Sequence, residues 1–286
     1  MSDILACVDG LIDSNNNENC KQYPDGNHKP IGLIQRYGED EIIHFGLMMG
    51  SYEKNISGGV LRKNTGDLGD EINIDTDGTL KADPNSAVPS VGMTRALDKI
   101  RLYGYGYNNG TYFGSNSSDD CGFQLASIDE GDCNSWGNPI SEIYMEAIRY
   151  FAGLEAVDEF DANDNTFVGG LAEDDWEDQL SDDNFCASTD VVVFNTSTTS
   201  YDHDQTGHFT DIDGAGSPES LTDTVAAGEN ILGNDWFIGR TAGDDDEFCT
   251  AKTINSLGNA FGICPEAPTL DGSYHMAGMA HYRQYQ

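Results

Sequence analysis

Basic side chains are scarce in this sequence. Fourteen Lys and Arg stand against 50 Asp and Glu in 286 residues, giving a formal net charge of −36 and a pI near 4.1. Such a surface repels phosphate backbones, which excludes nucleic acid as a partner, and it disfavours binding to anionic membranes. It suits a salty or calcium-containing medium, where cations screen or bridge carboxylates. No apolar run approaches about 18 residues, so no transmembrane segment is expected. Met1–Ala6 lacks the basic start and apolar stretch of a signal peptide. The chain is therefore read as cytosolic, or as the mature part or a fragment of a longer polypeptide. Histidine is also sparse, with six residues (28, 44, 203, 208, 275 and 281) and no H-E-x-x-H. There is no G-x-S-x-G and no phosphate-binding G-x-x-x-x-G-K-S/T; Gly104-Tyr105-Gly106 lacks the third glycine of a dinucleotide loop. Acidic pairs are so abundant that they single out no glycosidase site. The chain is expected not to be an enzyme.

Seven cysteines are present, none in a C-x-x-C, so zinc is not supported. Six form local couples 13, 12 and 15 residues apart: Cys7 with Cys20, Cys121 with Cys133, and Cys249 with Cys264. Each encloses Gly, Asn, Asp or Ser-rich sequence, as a disulfide that staples a loop would. Such bonds contribute roughly 3 kcal/mol for loops of this size and belong to an oxidising compartment. Cys186 is left over, either buried or paired outside this chain.

The best-marked element is Trp136–Gly153. Asn138 is placed to cap a helix and Pro139 to occupy its first turn. Ile140, Ile143, Tyr144, Ala147, Ile148 and Phe151 follow one apolar face, while Glu142, Glu146 and Arg149 fall off it. Gly153 then ends the helix. Further helices are expected over 29–38, 90–103, 219–227 and 273–282, with a weaker fragment over 253–257. Strands are expected over 41–49, buried on both faces, over 60–62, and over 189–194, where Val191-Val192-Val193-Phe194 reads as a central strand. Alternating strands and helices predict an α/β, doubly wound sheet with helices on both faces. One domain over 1–286 is expected, with long loop insertions at about 64–88, 104–132, 155–183 and 195–217. The aromatic cluster Tyr103, Tyr105, Tyr107, Tyr112 and Phe113 is expected to pack the second insertion onto the domain, or else to present a sugar-contact platform.

Several loops place oxygen side chains at alternate positions, as a turning backbone does around a hard cation. Asp161, Asn163 and Asn165 form the first candidate calcium site, and Asp202 with Asp204 the second. None completes an EF-hand, and a solvated acidic loop is the alternative for each.

A series of landmarks resembles the PilC/PilY family of type IV pilus tip-associated proteins. They are Cys20–Tyr23, Lys29–Gln35, Phe45–Leu47, Gly58–Arg62, Trp136–Glu142, Ala147–Gly153, Ser200–Gln205 and Met276–Ala280. They come in the family's order and span most of the chain. The resemblance implies a secreted protein with a von Willebrand factor A-like region, acting in pilus-tip assembly and in adhesion to host or abiotic surfaces, with minor pilins as partners. This chain carries no Asp-x-Ser-x-Ser adhesion-site motif, and Asn195-Thr196-Ser197 follows the expected central strand where A domains often place an aspartate. It resembles the A-like middle of such a protein, or a shortened relative. Two other readings are an acidic, calcium-stabilised carbohydrate-binding protein or hydrolase, and a subunit of an extracellular filament.

Overall fold

In the computed structural model, residues 6–8, 12, 19–81, 92–106, 108–112, 128–179, 186–242 and 247–284 are described. Strands β1 (Cys20–Gln22) and β2 (His28–Pro30) form a hairpin, followed by helix α1 (Leu33–Gly38). A second antiparallel pair joins β3 (Phe45–Met49) to β4 (Val60–Gly66), with shifts of register on β3. Helix α2 (Met93–Lys99) and the two-residue pair β5 (Tyr105–Gly106) and β6 (Thr111–Tyr112) precede helix α3 (Ile140–Phe151). The C-terminal third holds α4 (Pro218–Gly228), β7 (Asp235–Ile238), β8 (Arg240–Thr241), β9 (Thr250–Thr253), β10 (Ala260–Phe261) and α5 (His275–Gln284). There β7 pairs with β9, and β8 with β10.

The fold mixes helices and small sheets, and this corrects the expected doubly wound sheet. Among the described residues every sheet is a two-stranded antiparallel pair. The expected central strand over 189–194 joins no ladder, and Val192 and Phe194 are 92% and 88% exposed. The strand expected over 41–49 is confined to Phe45–Met49, and Ile42 before it is 66% exposed. The helix expected from Lys29 begins only at Leu33, because His28–Pro30 pair with β1. Thr253–Leu257 is not helical: β9 ends at Thr253, and Ile254 and Leu257 enter a core cluster with Ala226, Ile238 and Ala260.

Side-chain carboxylates do much of the work that a wide sheet would do. Buried backbone amides need acceptors wherever ladders are short. Glu71 accepts from Met93 N and Thr94 N (2.7 and 2.9 Å) at the start of α2, and Asp174 accepts from Asn64 N (2.8 Å). Asp164 accepts from Tyr52 N and Glu53 N (2.8 and 3.0 Å), and Asp223 from Gly258 N (2.9 Å). Disulfides join Cys7 to Cys20 and Cys249 to Cys264. Cys133 is also disulfide-bonded; its expected mate, Cys121, lies outside the described residues. Cys186 is free and exposed, not buried.

The main core cluster gathers Tyr144, Met145, Ile148, Val157, Phe160, Phe209, Ile212 and Met279. Helix α3 runs through it and is buried on nearly every side, including Glu142 and Glu146, both 0% exposed. Asn138 does not cap it. Its side-chain amide donates instead to Asn195 Oδ1 and to the carbonyls of Ser197 and Thr198. Gly153 ends the helix at φ +69°. Helices α4 and α5 cross closely. Ser217 caps α4, with Pro218 in its first turn. A Cβ added at Gly278 would lie 2.4 Å from Thr222 N and 2.6 Å from Thr222 Oγ1. Gly278→Ala is therefore expected to lower stability by about 1–3 kcal/mol, read from the denaturant midpoint. An unchanged midpoint would show that the two helices separate freely.

Candidate functional site

Helix α3 carries two arrangements, one on each side. The first is a buried polar network. Ser141 Oγ donates to Asp202 Oδ2 (2.7 Å) and accepts from Met276 N (3.2 Å). Asp202 Oδ1 accepts from Ser273 N (2.5 Å). His275 Nδ1 lies 2.9 Å from Thr206 Oγ1, and its Nε2 lies 2.9 Å from Gly258 O. Glu142 accepts from Gly58 N (2.7 Å) and Gln205 N (3.2 Å). Glu146 pairs with Arg149 at 3.0 Å, and Arg149 also reaches Asp211 at 2.7 Å.

Burial sets the electrostatics here. It pushes the Glu142 carboxyl up to about 9, against the two backbone bonds that favour its charge. It pushes Glu146 up to about 7, offset in part by the Val157 amide and Arg149. Asp202 is raised and His275 lowered, both first by burial. Serine, histidine and aspartate meet in this network, yet the geometry is not that of acyl transfer. The imidazole nitrogens face Thr206 and Gly258, while the aspartate holds the serine directly. Ser141, Ser273 and His275 are at most 4% exposed. The network locks α3 to the segments around 58, 205 and 273.

The candidate calcium residues are distributed differently from the alternate-position pattern. Asp161, Asn163 and Asn165 are exposed, and the buried residue of that loop is Asp164, which meets Arg62. Asn165 Oδ1 accepts from Gly170 N (2.6 Å). Asp202 is buried with its oxygens on Ser141 and Ser273, whereas Asp204 is exposed. Among the described residues no three His, Cys, Asp or Glu side chains are gathered as cation ligands. From the aromatic cluster, Tyr103 packs inward on Tyr52 and Phe167, at centroid distances of 6.0 and 5.1 Å. Tyr107 and Phe113 lie outside the described residues.

The second arrangement is an apolar groove of about 1360 Å³. Ile140, Ile143, Tyr144, Ala147 and Phe151 of α3 form its floor, with β3 along one wall and the segment 187–195 along the other. β3 runs antiparallel to α3. Gly50, after β3, faces Ile143 near the start of α3, while Thr65, opposite the beginning of β3, donates from its backbone N to Tyr150 Oη near the helix end. Asn195 meets Asn138 just before α3, and Thr189, six residues earlier, is held by Arg283 of α5. Both walls are apolar runs in the sequence; the first pairs as β3, and the second joins no ladder among the described residues. Arg62 and Asp164 carry no local signal in the sequence, and the inward-facing Glu142 carries only its position one turn before Glu146 on a largely apolar helix.

A family model described as the second domain of PilY1 homologues matches residues 45–283. This chain belongs to the PilY1 family. It is 30% identical, over 298 aligned residues, to the type IV pilus biogenesis factor PilY1 homolog of Xylella fastidiosa; the alignment covers 96% of this chain and 20% of that protein. The chain thus spans about a fifth of the length of that curated PilY1 relative. No solved structure matches it. The PilY1 landmarks within the matched residues meet at α3: Phe45–Leu47 lies on β3, and Gly58 donates to Glu142. Asp202 of the Ser200–Gln205 landmark and Met276 of the last one both bond Ser141. Among the described residues no helix is long and apolar enough to cross a membrane.

Proposed function

We propose that this PilY1 domain is a non-enzymatic part of the type IV pilus machinery, acting outside the cytoplasm in pilus-tip assembly and surface attachment. The observation that carries the reading is the family match over 45–283, in which the matched landmarks gather around one helix. The geometry agrees with a binding role. The polar side chains that could do chemistry are buried and bonded to one another, while apolar side chains are displayed: Trp236 and Phe237 on β7 are 49% and 72% exposed. Minor pilins at the tip are the proposed partners within the assembly, and a host or abiotic surface is the proposed target outside it. Disulfides at Cys7–Cys20 and Cys249–Cys264 favour an oxidising location.

The test is genetic. Deleting the gene in the source bacterium is expected to reduce surface pili and attachment, and restoring it to bring both back. A strain carrying Phe237→Asp, with normal protein levels, is expected to keep its pili but attach less. Unchanged piliation and attachment in the deletion strain would remove the pilus reading.

A further inference from the structure

Asn-x-Ser/Thr triplets begin at Asn55, Asn109, Asn116 and Asn195. Such a triplet is an acceptor for N-linked sugar when it stands on the surface of an exported protein. The structure separates the four. Asn55 is 4% exposed and bonded at both ends of its side chain. Its nitrogen donates to Asp132 O and Trp136 O (both 2.9 Å), and its oxygen accepts from Gly131 N (2.9 Å). Asn109 is exposed, but Thr111 of its triplet is tied to Gly106 in the β5–β6 pair. Asn116 lies outside the described residues. Asn195, Thr196 and Ser197 are all exposed and lie in no helix or strand.

The amide of Asn195 is oriented for reaction at its nitrogen. Among the described residues both hydrogen bonds of this side chain go to Oδ1, from Asn138 Nδ2 (3.1 Å) and from Ser197 N (3.3 Å). A backbone N–H can only donate, so the second bond fixes which end of the amide is oxygen. Nδ2 is therefore turned away from both partners. A sugar on Nδ2 leaves Oδ1 and its two bonds in place, so the folded domain can carry it; on Asn55 the same addition would break buried contacts.

We propose that Asn195 is an N-glycosylation site, and that its donor is a sugar carried on a diphosphate. In the step, Nδ2 bonds to the anomeric carbon of the sugar. The bond from that carbon to the diphosphate oxygen breaks, its electron pair leaves with the diphosphate, and Nδ2 gives one proton to a base of the transferase. No oxidant or reductant is needed. The disulfides Cys7–Cys20 and Cys249–Cys264 favour an exported protein. The sugar stands beside Val192 and Phe194, both strongly exposed, and screens that apolar surface.

The inference does not depend on the pilus reading, and its test is separate. Full-length protein is purified from the source bacterium and cut at acidic residues, and the peptide carrying Asn195 is fragmented by mass spectrometry. It is expected to be heavier by whole sugar units attached to Asn195. Ser197→Ala, which keeps the asparagine and the backbone bond, is expected to return the peptide to its unmodified mass. Protein held in the cytoplasm by an export block tells two donors apart: sugar there means a nucleotide carrier, and sugar only on exported protein means a lipid carrier. An Asn195 peptide found only at its unmodified mass would overturn the proposal. So would sugar on the hydroxyl of Thr196 or Ser197, or sugar on Asn195 that survives Ser197→Ala.

Discussion

Replacing Arg62 with alanine is expected to cost the fold about 3–5 kcal/mol, the usual penalty for stranding one member of a buried ion pair. Arg62 and Asp164 are each at most 1% exposed, and Arg62 Nη2 contacts Asp164 Oδ2. The same guanidinium donates to Ala172 O (3.1 Å) and Gly50 O (3.4 Å). Asp164 Oδ1 meanwhile accepts from the amides of Tyr52 and Glu53. Removing Arg62 leaves a carboxylate in a dry site and frees two carbonyls, so several segments loosen together: β4, the turn after β3, and the loop around 164–172. Replacing both partners, Arg62→Met with Asp164→Asn, is expected to recover a large part of the loss, because no unpaired charge remains and an amide oxygen can still accept from Tyr52 and Glu53. Denaturant midpoints of the two single variants and the double variant decide it. A loss under about 1 kcal/mol for Arg62→Ala would mean that water reaches this pair, and additive losses in the double variant would mean that the two residues act separately.

The helices of this protein could be read from its sequence because their signals are local. The apolar rhythm from Ile140 to Phe151 is present within a dozen residues, and Ser217-Pro218 marks the start of α4 by capping chemistry alone. The neighbouring cysteines at 7 and 20, and at 249 and 264, are read the same way, since a short loop keeps its ends close. The sheet could not be read, because β-branched runs such as Val191–Phe194 report a preference for extended backbone and not the presence of a neighbour. The buried carboxylates were invisible for another reason. In a chain with 50 acidic residues nothing local separates Asp164, which is buried on Arg62, from Asp161 three positions earlier, which is exposed. The difference is made by partners 102 residues away in sequence. Alternate-position spacing therefore picked out the outward-facing side chains of that loop, and the one facing inward was passed over.

This protein is expected to gain stability on acidification between pH 8 and pH 5, because its buried carboxyls Glu142, Glu146 and Asp202 together outweigh buried His275, whose lowered pKa acts the other way. Glu142 is 0% exposed, and burial raises its carboxyl from 4.5 to about 9; Glu146 rises to about 7 for the same reason. In that window the folded state binds protons that the unfolded chain has released, so stability is full below the unfolded value and is lost as pH rises through the folded one. Glu142 alone can supply a slope of up to about 1.4 kcal/mol per pH unit, hence about 4 kcal/mol at most between pH 5 and pH 8. Repulsion among the surface carboxylates acts in the same direction, so salt is needed to separate the two causes. At an ionic strength near 1 M the Debye length falls to about 3 Å and surface repulsion fades, while a group buried in α3 is hardly screened. The protein should therefore keep a higher midpoint at pH 5 than at pH 8 in high salt, and Glu142→Gln should flatten that dependence because its side chain cannot ionise. A pH slope that vanishes in salt would assign the effect to the surface. A slope unchanged by Glu142→Gln would show that Glu142 stays charged, held by the amides of Gly58 and Gln205.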